Sequence, residues 1–165
     1  MKERLENLPK LAQEKQSEFQ RLIKVIKKRK PKNFDYEMIK IHHQVFSKID
    51  CLTCANCCKT TSPIITEKDL ERISKFLKMK PVKFIKQYLK KDTDGLWMFQ
   101  QTPCVFLDAD NYCLIYDIRP KACREYPHLD RKKNNQLLDL HTKNASICPA
   151  VFDALTHLSD KYIKH

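Results

Sequence analysis

Four of the eight cysteines stand in one run, Cys51-x-x-Cys54-x-x-Cys57-Cys58, and the other four follow at Cys104, Cys113, Cys123 and Cys148. A metal ion needs deprotonated donors that converge. The two-residue gaps from Cys51 to Cys54 and from Cys54 to Cys57 let neighbouring thiolates turn toward one ion or cluster. Cys58 follows Cys57 directly. In extended chain their side chains diverge, and in a tight turn they share a centre or serve different ones, so the doublet departs from a simple zinc ribbon. The four later cysteines fall where ligands often fall, at a hairpin, in a turn and before a helix. The expectation is a site with all eight thiolates as ligands.

The compartment bears on that expectation. Met1-Lys2-Glu3-Arg4 is followed by no apolar run of signal-peptide type, and no stretch of about 18 consecutive apolar residues occurs. A cytoplasmic chain is expected, and a reducing cytoplasm keeps thiols free. A disulfide framework is the alternative for the whole set; it suits exported chains, and vicinal Cys57 and Cys58 pair poorly with each other. A buried, unligated thiol is the alternative for any one cysteine, Cys58 first among them. Eight thiolates fit two tetrahedral zinc sites, one four-iron cluster with four spare thiols, or one cluster plus one zinc. Cys51, Cys54 and Cys57 with the distant Cys148-Pro149 pair partly echo a ferredoxin arrangement. A structural zinc, in turn, stabilises a small domain without needing a redox partner. Spacing leaves zinc or an iron-sulfur cluster as the cofactor.

Other side chains have weaker claims. Arg119 and Arg124 flank Cys123, where a guanidinium can donate hydrogen bonds to thiolates and offset their charge. Tyr116 and Tyr126 bracket the same segment and read as packing residues. His42 and His43 compete poorly as ligands with eight thiols, and His128, His141 and His157 are too scattered to form a catalytic dyad. Asp108, Asp110 and Asn111 lack the central Gly and terminal Glu of a calcium loop and read as a turn. A single Gly in the chain excludes a Gly-rich phosphate loop. No catalytic residue is named.

The elements that would carry these residues are mostly helical. Leu8, Leu11, Ala12, Phe19, Leu22, Ile23 and Ile26 recur at three- and four-residue steps, predicting a helix with one apolar stripe that ends before the run Lys27-Lys28-Arg29-Lys30-Pro31-Lys32. A second helix is predicted over 34–49, with Met38, Ile41, Val45, Phe46 and Ile49 inward. Thr66 and Asp69 form a capping box for a helix carrying Leu70, Ile73 and Leu77. Pro81 opens a helix running to about Lys91, with Val82, Ile85, Tyr88 and Leu89 inward, before a turn at Asp92-Thr93-Asp94-Gly95. Leu96–Phe99 reads as a short strand, and 104–107 with 112–115 as a small hairpin. Arg119–Cys123 reads as a helical turn, and Pro149 begins a C-terminal helix with Val151, Leu155, Leu158 and Tyr162. The fold class expected is mainly α with a small β-hairpin: an irregular, metal-organised domain over 51–165 preceded by a basic helical extension over 1–50.

Thirty-two Lys and Arg against 20 Asp and Glu give a formal charge of +12, and the first 33 residues alone carry eleven Lys and Arg against four Glu. This balance suits an acidic protein or a nucleic acid met through the N-terminal arm, and equally a plain solvated surface.

The ordered set Cys51-x-x-Cys54-x-x-Cys57-Cys58, Pro103-Cys104-Val105-Phe106-Leu107, Cys113-Leu114-Ile115-Tyr116, Arg119-Pro120 and Cys123-Arg124-Glu125-Tyr126-Pro127 resembles the YkgJ-like cysteine-cluster family over residues 51–128, with Cys148 as its last cysteine. The resemblance implies chelation of zinc or iron in a bacterial protein. The family is sometimes glossed as an iron-sulfur oxidoreductase, and a similar cluster occurs in flagellin lysine methylase, where it would assist a transferase. The family usually has Gly after the second cysteine. Here Ala55 stands there, so a tight turn must form without a φ-permissive residue.

Overall fold

The computed structural model describes residues 1–164. In chain order they form α1 (Lys2–Glu14), α2 (Gln16–Arg29), α3 (Phe34–Phe46), α4 (Cys51–Cys54), α5 (Asn56–Thr60), α6 (Glu67–Phe76), α7 (Pro81–Tyr88), β1 (Leu89–Lys91), β2 (Trp97–Phe99), α8 (Lys121–Glu125), α9 (Leu138–Asn144) and α10 (Pro149–Tyr162), with 3-10 turns at Tyr116–Ile118 and Asn134–Gln136. The chain is mainly α with a small antiparallel hairpin, and packing groups it into two compact units. The first joins Met1–Asp50 to the chain from Pro127 onward, and the second is Cys51–Tyr126.

The first unit is built by apolar stripes. On α2, Phe19, Leu22, Ile23 and Ile26 recur at helical steps and are all buried, and α10 answers with Val151, Ala154, Leu155 and Leu158. The two helices pack together, with Phe19 meeting Phe152 edge to face at a centroid distance of 5.8 Å. α3 adds Met38, Ile41 and Val45 and also packs on α10. Pro149 opens α10 at a position where its missing N–H has no helical partner to lose.

Two sequence expectations change here. The arm is two helices, because Lys15, with ψ near 1°, interrupts the helical backbone between α1 and α2. Leu11, read as part of the stripe, is 38% exposed, whereas Leu8 is fully buried. α2 also continues through the basic run to Arg29. Lys and Arg in a last turn complement the negative end of the helix dipole, so they terminate nothing by themselves. Lys30, in the left-handed region at φ 45°, closes the helix with its N–H on the Ile26 carbonyl.

The second unit rests on a smaller, aromatic core of Ile65, Leu70, Ile73, Phe84, Leu89, Phe99, Phe106 and Ile115. Phe106 is its hinge pin, 5.4 Å from both Tyr88 and Phe99 between ring centroids. The α7 helix ends at Tyr88, earlier than expected, and 89–91 turn into β1, which pairs Leu89 with Phe99 and Lys91 with Trp97 on β2. Gly95, at φ 78°, supplies the left-handed turn between them. On α7 the buried residue is Phe84, while Val82, expected inward, is 78% exposed. The hairpin expected over 104–115 keeps bonds from Asp108 N–H to Tyr112 O (2.8 Å) and Leu114 N–H to Phe106 O (2.9 Å). Among the described residues it condenses to the single bridge Leu107 to Cys113. No helix among the described residues is long and apolar enough to cross a membrane.

Candidate metal centre

The Cys51–Cys58 run folds as two single-turn helices, α4 and α5, joined at Ala55. Ala55 takes φ 47° and ψ 17°, the left-handed geometry that Gly would adopt without strain. Its N–H reaches back to the Cys51 carbonyl (2.9 Å), closing α4, and its carbonyl accepts from Lys59 (3.1 Å), opening α5. The turn thus breaks the run between Cys54, which is buried, and the Cys57-Cys58 doublet, which is half-buried. Cys51 is exposed.

Three further segments bring thiols to the doublet. The Cys104 N–H donates to the Cys58 carbonyl at 2.8 Å, fixing the 104 loop against α5. Cys113 stands at the bridge opposite Leu107, and Cys123 is carried on α8. The position of α8 is set by a residue the sequence marks only as a helix cap. Asp69 is 1% exposed and completes the capping box with Thr66. Its carboxylate also accepts from Arg72 (2.6 Å) and from the backbone N–H of Lys121 (3.0 Å), the first residue of α8. Arg72 in turn donates to the Arg119 carbonyl (3.0 Å). Asp69 and Arg72 therefore clamp the 119–121 segment, and through it Cys123, to α6. Burial raises the Asp69 carboxyl, but the hydrogen bonds from Thr66, Arg72 and Lys121 outweigh it and hold the group below the usual range. A capping box is legible in sequence; its third partner, 52 residues away, leaves no sequence signal.

The electrostatics show which thiols sit together. A hydrogen bond from Cys57, opposed by burial and aided by Lys59, brings Cys58 down to about 7. Burial pushes Cys104 up to about 11 against a hydrogen bond from the Phe106 N–H, with the charges of Cys58 and Cys113 adding to the rise. Burial also raises Cys113, again against a hydrogen bond, here from the Ile115 N–H. Cys123 goes up to about 12 through burial and the charges of Cys58, Cys104 and Cys113, with Arg119 opposing. Cys58, Cys104, Cys113 and Cys123 thus lie within electrostatic reach of one another, and Cys57 touches the group through Cys58.

This donor chemistry fits zinc or iron. Thiolates are the ligands both metals take readily. Backbone N–H groups already aim at the sulfurs of Cys104 and Cys113, and such bonds favour the thiolate form. Arg119 lies within reach of Cys113 and Cys123, held with its guanidinium 3.8 Å from the Tyr116 ring centroid and donating to the Tyr116 carbonyl (2.6 Å). Among the described residues no three His, Cys, Asp or Glu side chains stand where they could hold a metal ion as placed, so the four thiols are within electrostatic reach of one another without being in ligand geometry.

The remaining candidates lie elsewhere. Cys148, buried, caps α10 in the first unit, with its N–H on the Asn144 carbonyl (2.8 Å). Arg124 is exposed, unlike Arg119. His42 packs on Phe46 (4.7 Å) and beside His43 (5.4 Å), all on α3 in the first unit. His141 is fully buried in that unit, with Nε2 2.6 Å from the Asn134 Oδ1.

Comparison with known proteins bears on the family of the chain. A family model named CxxCxxCC, described as "Putative zinc- or iron-chelating domain", matches residues 50–149. An uncharacterised protein of the archaeon Methanocaldococcus jannaschii is 28% identical over 119 residues, which cover 70% of this chain and 64% of the relative. The chain thus spans less than two thirds of that relative's length. No solved structure matches. With more than half of its residues inside the family model, and the gathered thiols among them, the chain belongs to the CxxCxxCC cysteine-cluster family.

Proposed function

We propose that this protein binds zinc or iron through its cysteine thiolates, with Cys58, Cys104, Cys113 and Cys123 as one four-thiolate centre. Cys57 lies at the edge of that centre, and Cys51, Cys54 and Cys148 serve as further ligands. The observation that carries the reading is the gathering of a doublet cysteine with thiols from three other segments: Cys58 acts on Cys104, Cys113 and Cys123, and Cys104 and Cys113 act on Cys123. Four thiolates around one ion would carry excess negative charge, and Arg119 is the cation available to offset it. Loading the site requires Cys104 and Cys123 to give up protons that burial makes them hold, so affinity should rise with pH. A reducing cytoplasm is the compartment in which such thiols stay open to metal.

The test is anaerobic purification followed by metal analysis and an absorption spectrum. Broad visible absorbance with iron and sulfide identifies an iron-sulfur cluster. A colourless protein with stoichiometric zinc identifies a zinc site. A folded protein that takes up neither metal, with all eight thiols titratable, would overturn the reading.

A further inference from the structure

One concavity of the first unit is lined by no cysteine. It holds about 400 Å³ and is lined by Lys30, Lys32 and Lys133, together with Asp35 and Tyr36. Two basic runs about a hundred residues apart, 27–32 and 131–133, thus meet at one cavity. The meeting is fixed by hydrogen bonds. Asp35 accepts from the backbone N–H groups of Lys133 and Asn134, both at 2.8 Å. Asn134 is fully buried, and its amide donates to the carbonyls of His128, Leu129 and Arg131 at 3.0, 2.9 and 3.2 Å, which makes the 128–134 loop a fixed wall.

The charges left over are positive. The Asp35 carboxylate is held by the two backbone N–H groups and keeps its charge, so against the three lysines the lining stays net positive. Among the described residues none of the three lysine ammonium groups lining the cavity has an ion-pair partner, whereas Lys27 pairs with Asp139 (2.8 Å) and Lys161 with Glu37 (2.7 Å). Beside the lysines stands Tyr36, 66% exposed, with a fourth ammonium, that of Lys40, 5.8 Å from its ring centroid.

We propose that this cavity binds one unstacked nucleotide of single-stranded nucleic acid, its phosphates on Lys30, Lys32 and Lys133 and its base against Tyr36. A basic groove beside an exposed aromatic ring is the arrangement by which proteins hold single strands without reading sequence. An acidic peptide would use the lysines and leave Tyr36 unused. A duplex keeps its bases stacked, and a 400 Å³ cavity admits one nucleotide rather than a groove. The two runs carry further Lys and Arg in sequence beside the three lysines of the lining, more than a free mononucleotide needs, which favours a strand. The site is independent of the thiolate reading, since it stands on no cysteine.

The experiment is fluorescence anisotropy with the full-length protein and a labelled 12-nucleotide single strand, with the matching duplex and a nucleoside monophosphate as competitors. The strand should bind, with log affinity falling against log salt at a slope of about −2 for three phosphate contacts. Lys32→Glu with Lys133→Glu should weaken binding about ten-fold or more and flatten that slope. Tyr36→Ala should weaken it about ten-fold while leaving the slope unchanged. The paired control Lys83→Glu with Lys86→Glu, exposed on α7, should change little. All four lysines and Tyr36 are exposed, and circular dichroism confirms that each variant is folded. Equal loss in the control pair, no effect of Tyr36→Ala, or stronger competition by the duplex or the monophosphate would each overturn the proposal.

Discussion

The two units use their residues differently. In the first, stability comes from stripes: α2 and α10 bury Phe19, Leu22, Leu155 and Leu158 at helical spacing, and each side chain needs only to be apolar and about the right size. In the second, short elements depend on particular groups. Ala55 turns the cysteine run in left-handed geometry, Asp69 joins a cap to a distant backbone N–H, and Phe106 seats the 104 loop on an aromatic core. A periodic helix pair holds itself together. A loop-rich unit with four of its thiols within electrostatic reach of one another needs specific ties, and a metal would be the strongest of them.

That contrast can be tested from either side. The largest single-residue effect is expected in the helical unit. Leu155→Ala, at a fully buried position on α10, should cost about 2–5 kcal/mol in chemical unfolding. Amide exchange should speed up along α2, α3 and α10, and metal content should stay unchanged. If metal is lost as well, the two units are not separately organised.

His141 makes the stability of the same unit depend on pH. Burial, with a smaller push from His128, lowers it to about 4. Asn134 donates its amide to three carbonyls, so its Oδ1 accepts from His141 Nε2, and a second proton would go onto Nδ1, which has no partner. The folded value lies below the unfolded one near 6.5, so the neutral ring is the stabilising form. Its contribution is complete above pH 6.5 and is lost as pH falls from there to about 4, roughly 3 kcal/mol in all. His141→Gln should remove most of that pH dependence in denaturant titrations between pH 7 and 4.

In the cysteine unit, Asp69→Asn should cost about 2 kcal/mol, because the substituted amide keeps the cap in part but loses its charge opposite Arg72 and Lys121 N–H. The distinguishing readout is metal: loosening α8 should weaken the retention of metal that depends on Cys123. Unchanged retention would show that α8 is held by other contacts. The smallest effect is Ala55→Gly. It removes left-handed strain but adds unfolded-chain entropy and deletes a buried methyl, so stability should move by less than about 1 kcal/mol and metal content should not change. A large loss would mean that the Ala55 methyl packs as a core group.

The same contrast explains what could be read from the sequence. Helices α2, α3 and α10 were visible because three- and four-residue periodicity is a local signal, as was the capping box of α6. The break at Lys15 was not, since Lys and Gln on either side suit a helix. Pro81 marked where α7 starts, but Val82 and Phe84 point opposite ways within one turn, and the apolar pattern gave the wrong one inward. Strand β1 was hidden inside helix-compatible residues, and its partner β2 decides its form. The cysteine motif announced a thiolate site, and the need for a turn at Ala55 was stated by the residue that usually stands there. Which thiols gather depends on ties such as Cys104 N–H to Cys58 O and Lys121 N–H to Asp69, which are long-range and carried by backbone atoms.

The central claim is that Cys58, Cys104, Cys113 and Cys123 share one ion. Its most direct test is metal stoichiometry of the anaerobically purified protein beside the four single Cys→Ser variants. Each variant should lose the same one ion or cluster per chain, whichever of the four is replaced. Four variants that each keep the full wild-type metal content would contradict it.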